Sequence, residues 1–207
     1  MGNSAVILFS MAFVALVLQQ TAGLVKDLQY EVDESTHDVW PPDSLPKSFL
    51  CPKNACHYTN IGGVETFQLL NQHTNRLEVK VHNTYTSGTH VFQGKLRISP
   101  PLFDECLFQI FGGSDKATQF MLRAYSGNGG KLTRYEHDVL ATGVDNAWVD
   151  VKIVHDKGNY VEAFINNVSK GKWPDTDRDV PNNFKYGVYG SLKTSNARVQ
   201  WKDVSIS

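Results

Sequence analysis

Residues 76–81 read Arg76-Leu77-Glu78-Val79-Lys80-Val81 and alternate strictly between charged and apolar side chains. In an extended strand, successive side chains point to opposite faces, so the three apolar residues share one face and the three charged residues share the other. This alternation is typical of an antiparallel sheet with one face packed on a core and one face in water. The stretch therefore predicts a half-buried β-strand.

Similar short runs follow along the chain, separated by turn residues such as Gly127-Asn128-Gly129-Gly130 and Asp156-Lys157-Gly158-Asn159. In residues 148–155, Val149, Val151 and Ile153 are in phase, and residues 160–165 form the return strand. No stretch has a long amphipathic helical pattern. Many short strands with regular turn signals are typical of an all-β sandwich or barrel. Further runs lie at 93–98, 107–111, 120–125, 184–189 and 197–206.

The N-terminus predicts a secretory signal peptide over residues 1–23. These residues contain no charged side chain and carry an apolar core that ends in the small residues Thr21-Ala22-Gly23. A membrane anchor is the less favoured reading, because the apolar stretch is interrupted and lacks basic flanks. Residues 24–60 are Pro-rich and predict an N-terminal arm draped over a single β-domain at 61–207. We expect a monomer that enters the secretory pathway and is either secreted or delivered to the vacuole.

The charge balance limits the partners of the chain. Twenty Lys and Arg against 21 Asp and Glu give a formal net charge of −1. No basic excess exists to hold nucleic acid or an anionic membrane, so affinity for an anion needs a local basic cluster. We find no cofactor motif and no metal-ligand spacing, and we expect neither group.

The cysteines and one sequon agree with a secretory route. Cys51 and Cys56 bracket four residues, which favours a short disulfide loop; a zinc site is the alternative, although no second pair lies at finger spacing. Cys106 is left over in an apolar run and is expected to be a buried free thiol. Asn167-Val168-Ser169 is a glycosylation sequon.

Polar residues recur in phase on several predicted strands. Arg76, Glu78 and Lys80 share one side of their strand, Gln109 shares a side with Phe111, and Lys185 shares one with Tyr189. In a sandwich such a set faces outward, and on a curved sheet it lines a concave groove. Arg and Lys would give that groove local positive charge, with Glu78 orienting the basic groups. The alternative is an ordinary solvated face.

At these residues the sequence resembles the alginate lyase superfamily and its plant branch, the citrate-binding proteins. Arg76-Leu77-Glu78 resembles the family's Arg-Thr/Ser-Glu strand, and residues 108–113 resemble a segment written Gln-Ile-His in the lyases and Gln-Val-Phe-Gly in the binding branch. Residues 121–125, which include Arg123, also resemble that branch, and residues 184–189 resemble the Tyr-Phe-Lys-Ala/Cys-Gly-Val-Tyr strand. The resemblance implies a β-jelly roll of two antiparallel sheets. It also makes Arg123 a candidate ligand-binding residue.

For a lyase, the resemblance implies β-elimination across a uronate. Arg76 and Gln109 would neutralise the substrate carboxylate, and Tyr189, beside Lys185 or Arg76, would serve as base and acid. The family's imidazole position holds Phe111, which neither accepts a proton nor hydrogen-bonds a carboxylate. His155 is expected at a strand end before a turn, and His82 and His90 are weak substitutes. Three readings remain: a protein that binds an acidic polysaccharide or a small polycarboxylate, a Tyr-dependent polyuronate lyase, and a structural sandwich.

Overall fold

The structure is a computed structural model, and it describes residues 26–32, 35–38, 45–71, 74–81, 83–112, 118–175, 180–191 and 196–207. The predicted signal peptide, the Pro41-Pro42 pair, His73 and His82 lie outside these residues. In the part that is described, regular structure consists of sixteen β-strands and one 3-10 turn, Pro52–Asn54.

In chain order the strands are β1 Lys26–Val32, β2 Ser35–Asp38, β3 Ser48–Leu50, β4 Cys56–Ile61, β5 Val64–Leu69, β6 Thr74–Val81, β7 Thr89–Ser99, β8 Phe103–Phe111, β9 Thr118–Tyr125, β10 Lys131–Arg134, β11 Asp138–Thr142, β12 Val149–Asp156, β13 Tyr160–Ile165, β14 Val168–Pro174, β15 Asn183–Tyr189 and β16 Arg198–Ile206.

These strands form two eight-stranded sheets. Sheet A has the order β11-β10-β9-β8-β15-β6-β1-β2, and sheet B has the order β14-β13-β12-β7-β16-β5-β4-β3. Neighbouring strands pair antiparallel throughout both sheets. The chain passes repeatedly from one sheet to the other, as in a jelly roll. The predicted all-β jelly-roll sandwich is confirmed.

The core between the sheets is rich in aromatic rings. Phe92 of β7 lies at its centre, with its ring centroid 4.4 Å from that of Phe108 on β8 and 5.3 Å from that of Trp201 on β16. All three side chains are fully buried. Because large rings bury much apolar area, this cluster joins the two sheets and fixes which face of each strand points inward.

The strand predicted at residues 76–81 lies within β6, with Leu77, Val79 and Val81 buried in the core as the alternation requires. The same rule orients β15, where Phe184, Tyr186 and Val188 have apolar ring or methyl groups in the core. The alternate positions of both strands are left on the outer face of sheet A.

The structure differs from the arm expected over residues 24–60. That segment supplies β1 and β2 to sheet A and β3 and β4 to sheet B. Pro46 and Pro52 do stay outside the strands, as a residue without an amide N–H should. The stretches beside them pair, and β1 lies inside its sheet between β2 and β6.

The cysteines lie at two buried places. Cys51 and Cys56 form a disulfide with Cα atoms 5.0 Å apart, and the Cys51 amide also donates to the Cys56 carbonyl. Cys106 of β8 is free and buried, and burial raises the pKa of its thiol. The sulfurs of the disulfide are not available to a zinc ion. Among the helical residues that the structure describes, none forms a helix long and apolar enough to span a membrane.

Candidate functional site

Residues predicted from separate strands meet on the outer face of sheet A. Arg76 on β6 is opposite Tyr189 on β15, and Lys80 is opposite Lys185. On the other side of β15, Lys185 is opposite Gln109 of β8. Directly opposed residues have Cα atoms about 4.5–5.5 Å apart, so these side chains are immediate neighbours. We call this surface the polar face; it comprises Arg76, Glu78, Lys80, Gln109, Phe111, Asn183, Lys185 and Tyr189.

Gly187 allows β15 to approach β6 closely at the middle of the polar face. Its φ is +141°, and a Cβ atom there would lie 2.5 Å from the Leu77 carbonyl oxygen and 2.8 Å from the Glu78 Cα. No L side chain fits such a contact, so only glycine is compatible with this backbone. The residue thereby sets the separation of the strands that carry Arg76 and Tyr189.

Glu78 organises the centre of the polar face. Its side chain is fully buried, and Oε1 accepts a 2.7 Å hydrogen bond from the Gln109 amide nitrogen. Its Oε2 is 3.2 Å from the Nε of Arg76. Burial raises the pKa of Glu78, and the nearby charges of Arg76 and Lys185 oppose that rise. Glu78 thus contacts both Gln109 and Arg76 and is shielded from solvent.

Arg76 is stacked on the proposed catalytic tyrosine. Its guanidinium carbon is 4.5 Å from the centroid of the Tyr189 ring, within the range of a cation–π contact. Its side chain is 16% exposed, so the guanidinium can still reach a ligand. The pairing fixes both side chains relative to each other and holds the Tyr189 ring beside a fixed positive charge.

Phe111 stands where the resemblance implies an imidazole, and its ring contacts the ammonium group of Lys185. The Lys185 ammonium nitrogen is 3.9 Å from the centroid of the Phe111 ring, and Lys185 is only 4% exposed. Asn183 is opposite Phe111 and is 5% exposed, with an Oδ1 that accepts no hydrogen bond from the described residues. This end of the face offers hydrogen-bond donors and an acceptor, and Phe111 supplies no imidazole.

Strand β1 changes the predicted charge of the polar face. Asp27 is opposite Lys80, and Glu31 is opposite Arg76 and 3.8 Å from its guanidinium. Arg76, Lys80 and Lys185 therefore face three carboxylates, Asp27, Glu31 and Glu78, and the formal charges balance. The expectation of a basic groove is corrected. The missed signal was in the sequence, because Leu28, Tyr30 and Val32 alternate with polar residues.

Arg123 is engaged within the protein. Its Nε donates to Asp104 Oδ1 at 2.6 Å, and a second guanidinium nitrogen donates to the Asp104 carbonyl. Asp104 also accepts from the Tyr125 hydroxyl at 2.5 Å. The guanidinium of Arg123 is thus held by Asp104, and its third nitrogen lies 3.7 Å from the Met121 Sδ. A role for Arg123 in ligand binding stays a prediction.

The histidines whose side chains are described lie outside β6, β8 and β15. His57 contacts Ser48 on sheet B, His90 stacks on Tyr85 at 3.7 Å, and His137 lies in the turn after β10. None of these positions replaces the imidazole that Phe111 lacks.

His155 lies at the end of β12 before a turn, as expected, and it is fully buried between the sheets. The Tyr85 hydroxyl is 2.7 Å from its Nδ1, and Asp175 Oδ2 is 3.0 Å from its Nε2. Lys157 lies 3.4 Å from the same carboxylate oxygen. Burial lowers the pKa of His155, and the hydrogen bond with Asp175 opposes that effect. The phase of Val149, Val151 and Ile153 already placed His155 on the inner face.

No three His, Cys, Asp or Glu side chains are grouped to hold a metal ion among the residues that the structure describes. The polar face itself offers one guanidinium, two amides, one phenol, two amines and a buried carboxylate.

Comparison with solved structures places the fold in one class. The chain superposes on the alginate lyase from Corynebacterium sp. with a TM-score of 0.66 at 15% identity, over 89% of this chain and 94% of the other. It superposes on the alginate lyase AlyA1 from Zobellia galactanivorans, of polysaccharide lyase family 7, with a TM-score of 0.58 at 17% identity, over 90% and 96%. The chain has the jelly-roll fold of the alginate lyases, as its motifs predicted.

A relative identified by sequence supports the resemblance to the citrate-binding proteins. The chain is 30% identical over 133 residues to the citrate-binding protein of Hevea brasiliensis, an alignment that covers 63% of this chain and 54% of that protein. The match thus spans about half the length of the relative. No family model matches the chain.

Proposed function

We propose that the polar face of sheet A binds a carboxylated ligand, either an acidic polysaccharide or a small polycarboxylate. The observation that carries this proposal is the juxtaposition of Arg76, Gln109 and Tyr189 around the buried Glu78. The names of similar proteins support the ligand class. The Hevea relative is named for citrate, and one structural neighbour, at 10% identity, was solved in complex with dimannuronate.

The recognition would be directional. A guanidinium presents paired N–H donors that match the two oxygens of a carboxylate. The Gln109 amide gives one hydrogen to Glu78 and would give its second to a ligand, and the Tyr189 hydroxyl would add a third donor. Because nearby carboxylates balance the charge of the face, placement of donors would decide affinity more than bulk attraction.

We propose that the protein reaches its ligand through the secretory pathway. The apolar residues 1–23 would direct entry, and the Cys51–Cys56 disulfide suits an oxidising compartment. Asn167 is exposed in the turn between β13 and β14, where a glycan is accommodated without disturbing either sheet. Removal of residues 1–23 would be checked by the N-terminal sequence of the purified protein. An intact Met1 in the exported protein would contradict this route.

Calorimetry with alginate, glucuronan and pectate oligomers and with citrate tests the binding proposal. We expect heat with at least one of them and a loss of affinity of about tenfold or more for Arg76→Gln, because a hydrogen bond to a charged group is lost. Lys170→Gln is the control, since it removes one positive charge from the exposed face of β14 in sheet B, away from Arg76. No heat with any ligand, or an equal loss in the control, would end the proposal.

A lyase is the second candidate, and the contact of Arg76 with Tyr189 favours it. In a syn elimination the Tyr189 phenolate would remove the C5 proton of a uronate, and the phenol would return the proton to the departing glycosidic oxygen as the double bond forms. Arg76 and Gln109 would stabilise the charge on the carboxylate. We expect ultraviolet absorbance of an unsaturated uronate product, abolished by Tyr189→Phe. A flat trace on every acidic polymer would leave binding alone.

A further inference from the structure

The outer face of sheet B carries a second group of basic residues on the strands β7, β12 and β16. The buried side chains Leu96, Ile98, Val199 and Trp201 fix the inner faces of β7 and β16, so the alternate residues point outward. We call these outward cations the basic strip: Lys95, Arg97, Lys152, Arg198 and Lys202.

The five cations of the strip outnumber the acidic residues on the same strands. On β7, β12 and β16, the outer face presents Asp150 and Asp156, and Asp203 lies at a β-bulge. Lys95 is 3.5 Å from Asp150, and both side chains are nearly half exposed. Among the described ion pairs, Arg97, Arg198 and Lys202 have no carboxylate partner. Positive charge is therefore in excess here.

Two like charges are placed directly across from each other. Lys202 of β16 is opposite Lys95 of β7, an arrangement that destabilises a sheet in the absence of an anion. Two residues along β7, Arg97 is opposite Gln200, and its Nε is buried without a hydrogen-bond partner. These groups would be stabilised by an anion that spans both strands.

An aromatic ring lies within the strip. The Lys202 ammonium is 4.4 Å from the ring centroid of Trp148, which directly precedes β12 and is half-buried. Indole faces stack on the C–H faces of sugar rings as well as on cations. A depression of about 230 Å³ adjoins the strip and is lined in part by Lys95, Lys152 and Asn167, so this end of the surface is open in the protein without a glycan on Asn167. It is smaller than the ~300–1,000 Å³ clefts that enclose drug-sized ligands, so the face suits an extended chain laid across it.

We propose that the basic strip is a second binding surface, for an extended anionic polysaccharide that carries carboxylate or sulfate groups. Lys95 and Arg97 lie about 7 Å apart along β7, and Lys202 lies about 5 Å from Lys95 across the strands. Arg198 lies about 13 Å from Lys202 along β16, so acidic groups spaced along a polymer can meet separate cations. Trp148 contributes a stacking platform at one end. This surface is separate from the polar face, and the proposal does not depend on the function assigned to that face.

Affinity electrophoresis in gels containing polygalacturonate tests the proposal with the double variant Arg97→Gln/Lys202→Gln. We expect its apparent affinity to fall roughly fivefold, the combined effect of two exposed ion pairs. The control is Lys131→Gln/Lys170→Gln, which removes the same charge from β10 and β14. The control should keep wild-type retention, and thermal melts of both double variants check that each is folded.

Equal losses in the two double variants, or no retention of the wild type, would overturn the proposal. Retention lost in Arg76→Gln but kept in Arg97→Gln/Lys202→Gln would also overturn it, because the polymer would then bind only at the polar face. Citrate calorimetry on the same variants separates the two surfaces. If the wild type binds citrate, we expect the double variant to bind it with the same affinity.

Two further readouts test the chemistry of the ligand. Trp148 is half-buried whereas Trp201 is fully buried, so polymer binding should change a fluorescence component that Trp148→Phe removes. No change in that component would contradict a role for Trp148. Retention by single-stranded DNA of equal charge as strong as that by polygalacturonate would overturn the assignment to a saccharide, because it would show binding by charge alone.

Discussion

The polar face of sheet A and the basic strip of sheet B use similar residues in opposite ways. On sheet A, Arg76 and Arg123 are 16% and 19% exposed and are paired with buried carboxylates. On sheet B, Lys95 is 44% exposed, and its partner Asp150 is 48% exposed. Buried pairs are fixed in place and costly to break, whereas exposed pairs are screened by water and salt. The first arrangement suits directional recognition of one group, and the second suits the repeated charges of a polymer.

The largest effect is expected for Glu78→Gln, which replaces the buried carboxylate at the centre of the polar face. Both Gln109 and Arg76 present donors to it, and an amide has only one oxygen to receive them. One contact becomes donor against donor, so we expect the free energy of unfolding to fall by about 2–3 kcal/mol. Urea denaturation measures this loss. A change below 0.5 kcal/mol, roughly the value of an exposed pair, would remove the contrast between the faces.

The burial of His155 on the inner face of sheet B should make the free energy of unfolding depend on pH. Its pKa is lowered by burial, with Lys157 and His90 adding to the effect and Asp175 opposing it. The unfolded state, with a pKa of about 6.5, therefore takes up the proton first. Neutral His155 therefore contributes to the free energy of unfolding above about pH 6.5. This contribution is lost as the pH falls below that value, at up to about 1.4 kcal/mol per pH unit.

The measurement is the free energy of unfolding in urea at pH 7.5, 6.5 and 5.5. His155→Gln keeps an acceptor for Tyr85 and a donor for Asp175, and it should lack the extra loss below pH 6.5. His57→Gln on the surface of sheet B should keep that loss. The same pH dependence in His155→Gln as in the wild type would refute the assignment to His155.

A smaller effect is expected for Asp104→Asn. Asparagine tolerates the left-handed backbone at this position, where φ is +68°, so the change mainly removes the charge that engages Arg123. We expect a loss of about 1 kcal/mol in the free energy of unfolding. With its partner neutral, Arg123 adds positive charge to the outer side of sheet A, and citrate affinity should rise. Unchanged stability in thermal melts would mean that Asp104 does not hold Arg123 in solution.

The smallest effect is expected for Asp150→Asn on sheet B. Its pair with Lys95 is exposed, so the free energy of unfolding should change by less than about 0.5 kcal/mol. The same variant releases Lys95 and should strengthen retention by polygalacturonate. A loss of stability as large as that of Glu78→Gln would show that the ion pairs of the two faces contribute equally to stability.

The sequence predicted those features that need only the alternation of a strand. The inward side of β6 and the meeting of Arg76 with Tyr189 follow from period-two patterning and from strands that lie next to each other. The engagement of Arg123 could not be found in this way. Asp104 lies at an irregularity where the register of β8 against β9 shifts, and a bulge changes which side chains share a face.

Two other features of the structure differ from the sequence predictions: the strands formed by residues 24–60 and the charge of the polar face. The prolines after residue 40 indicated an arm, although Leu28, Tyr30 and Val32 alternate as in any half-buried strand. Their strand brings Asp27 and Glu31 to the polar face and cancels its charge. Only the partner strand reveals that cancellation, because the two stretches lie about fifty residues apart in sequence.

A crystal structure of the protein soaked with an oligouronate or with citrate, whichever gives heat in calorimetry, tests the central claim most directly. We predict a ligand carboxylate within hydrogen-bonding distance of the Arg76 guanidinium and the Gln109 amide, with the Tyr189 hydroxyl beside it. Ligand density on sheet B alone, with Arg76 still turned toward Glu78 and Glu31 and nothing bound above it, would contradict the claim.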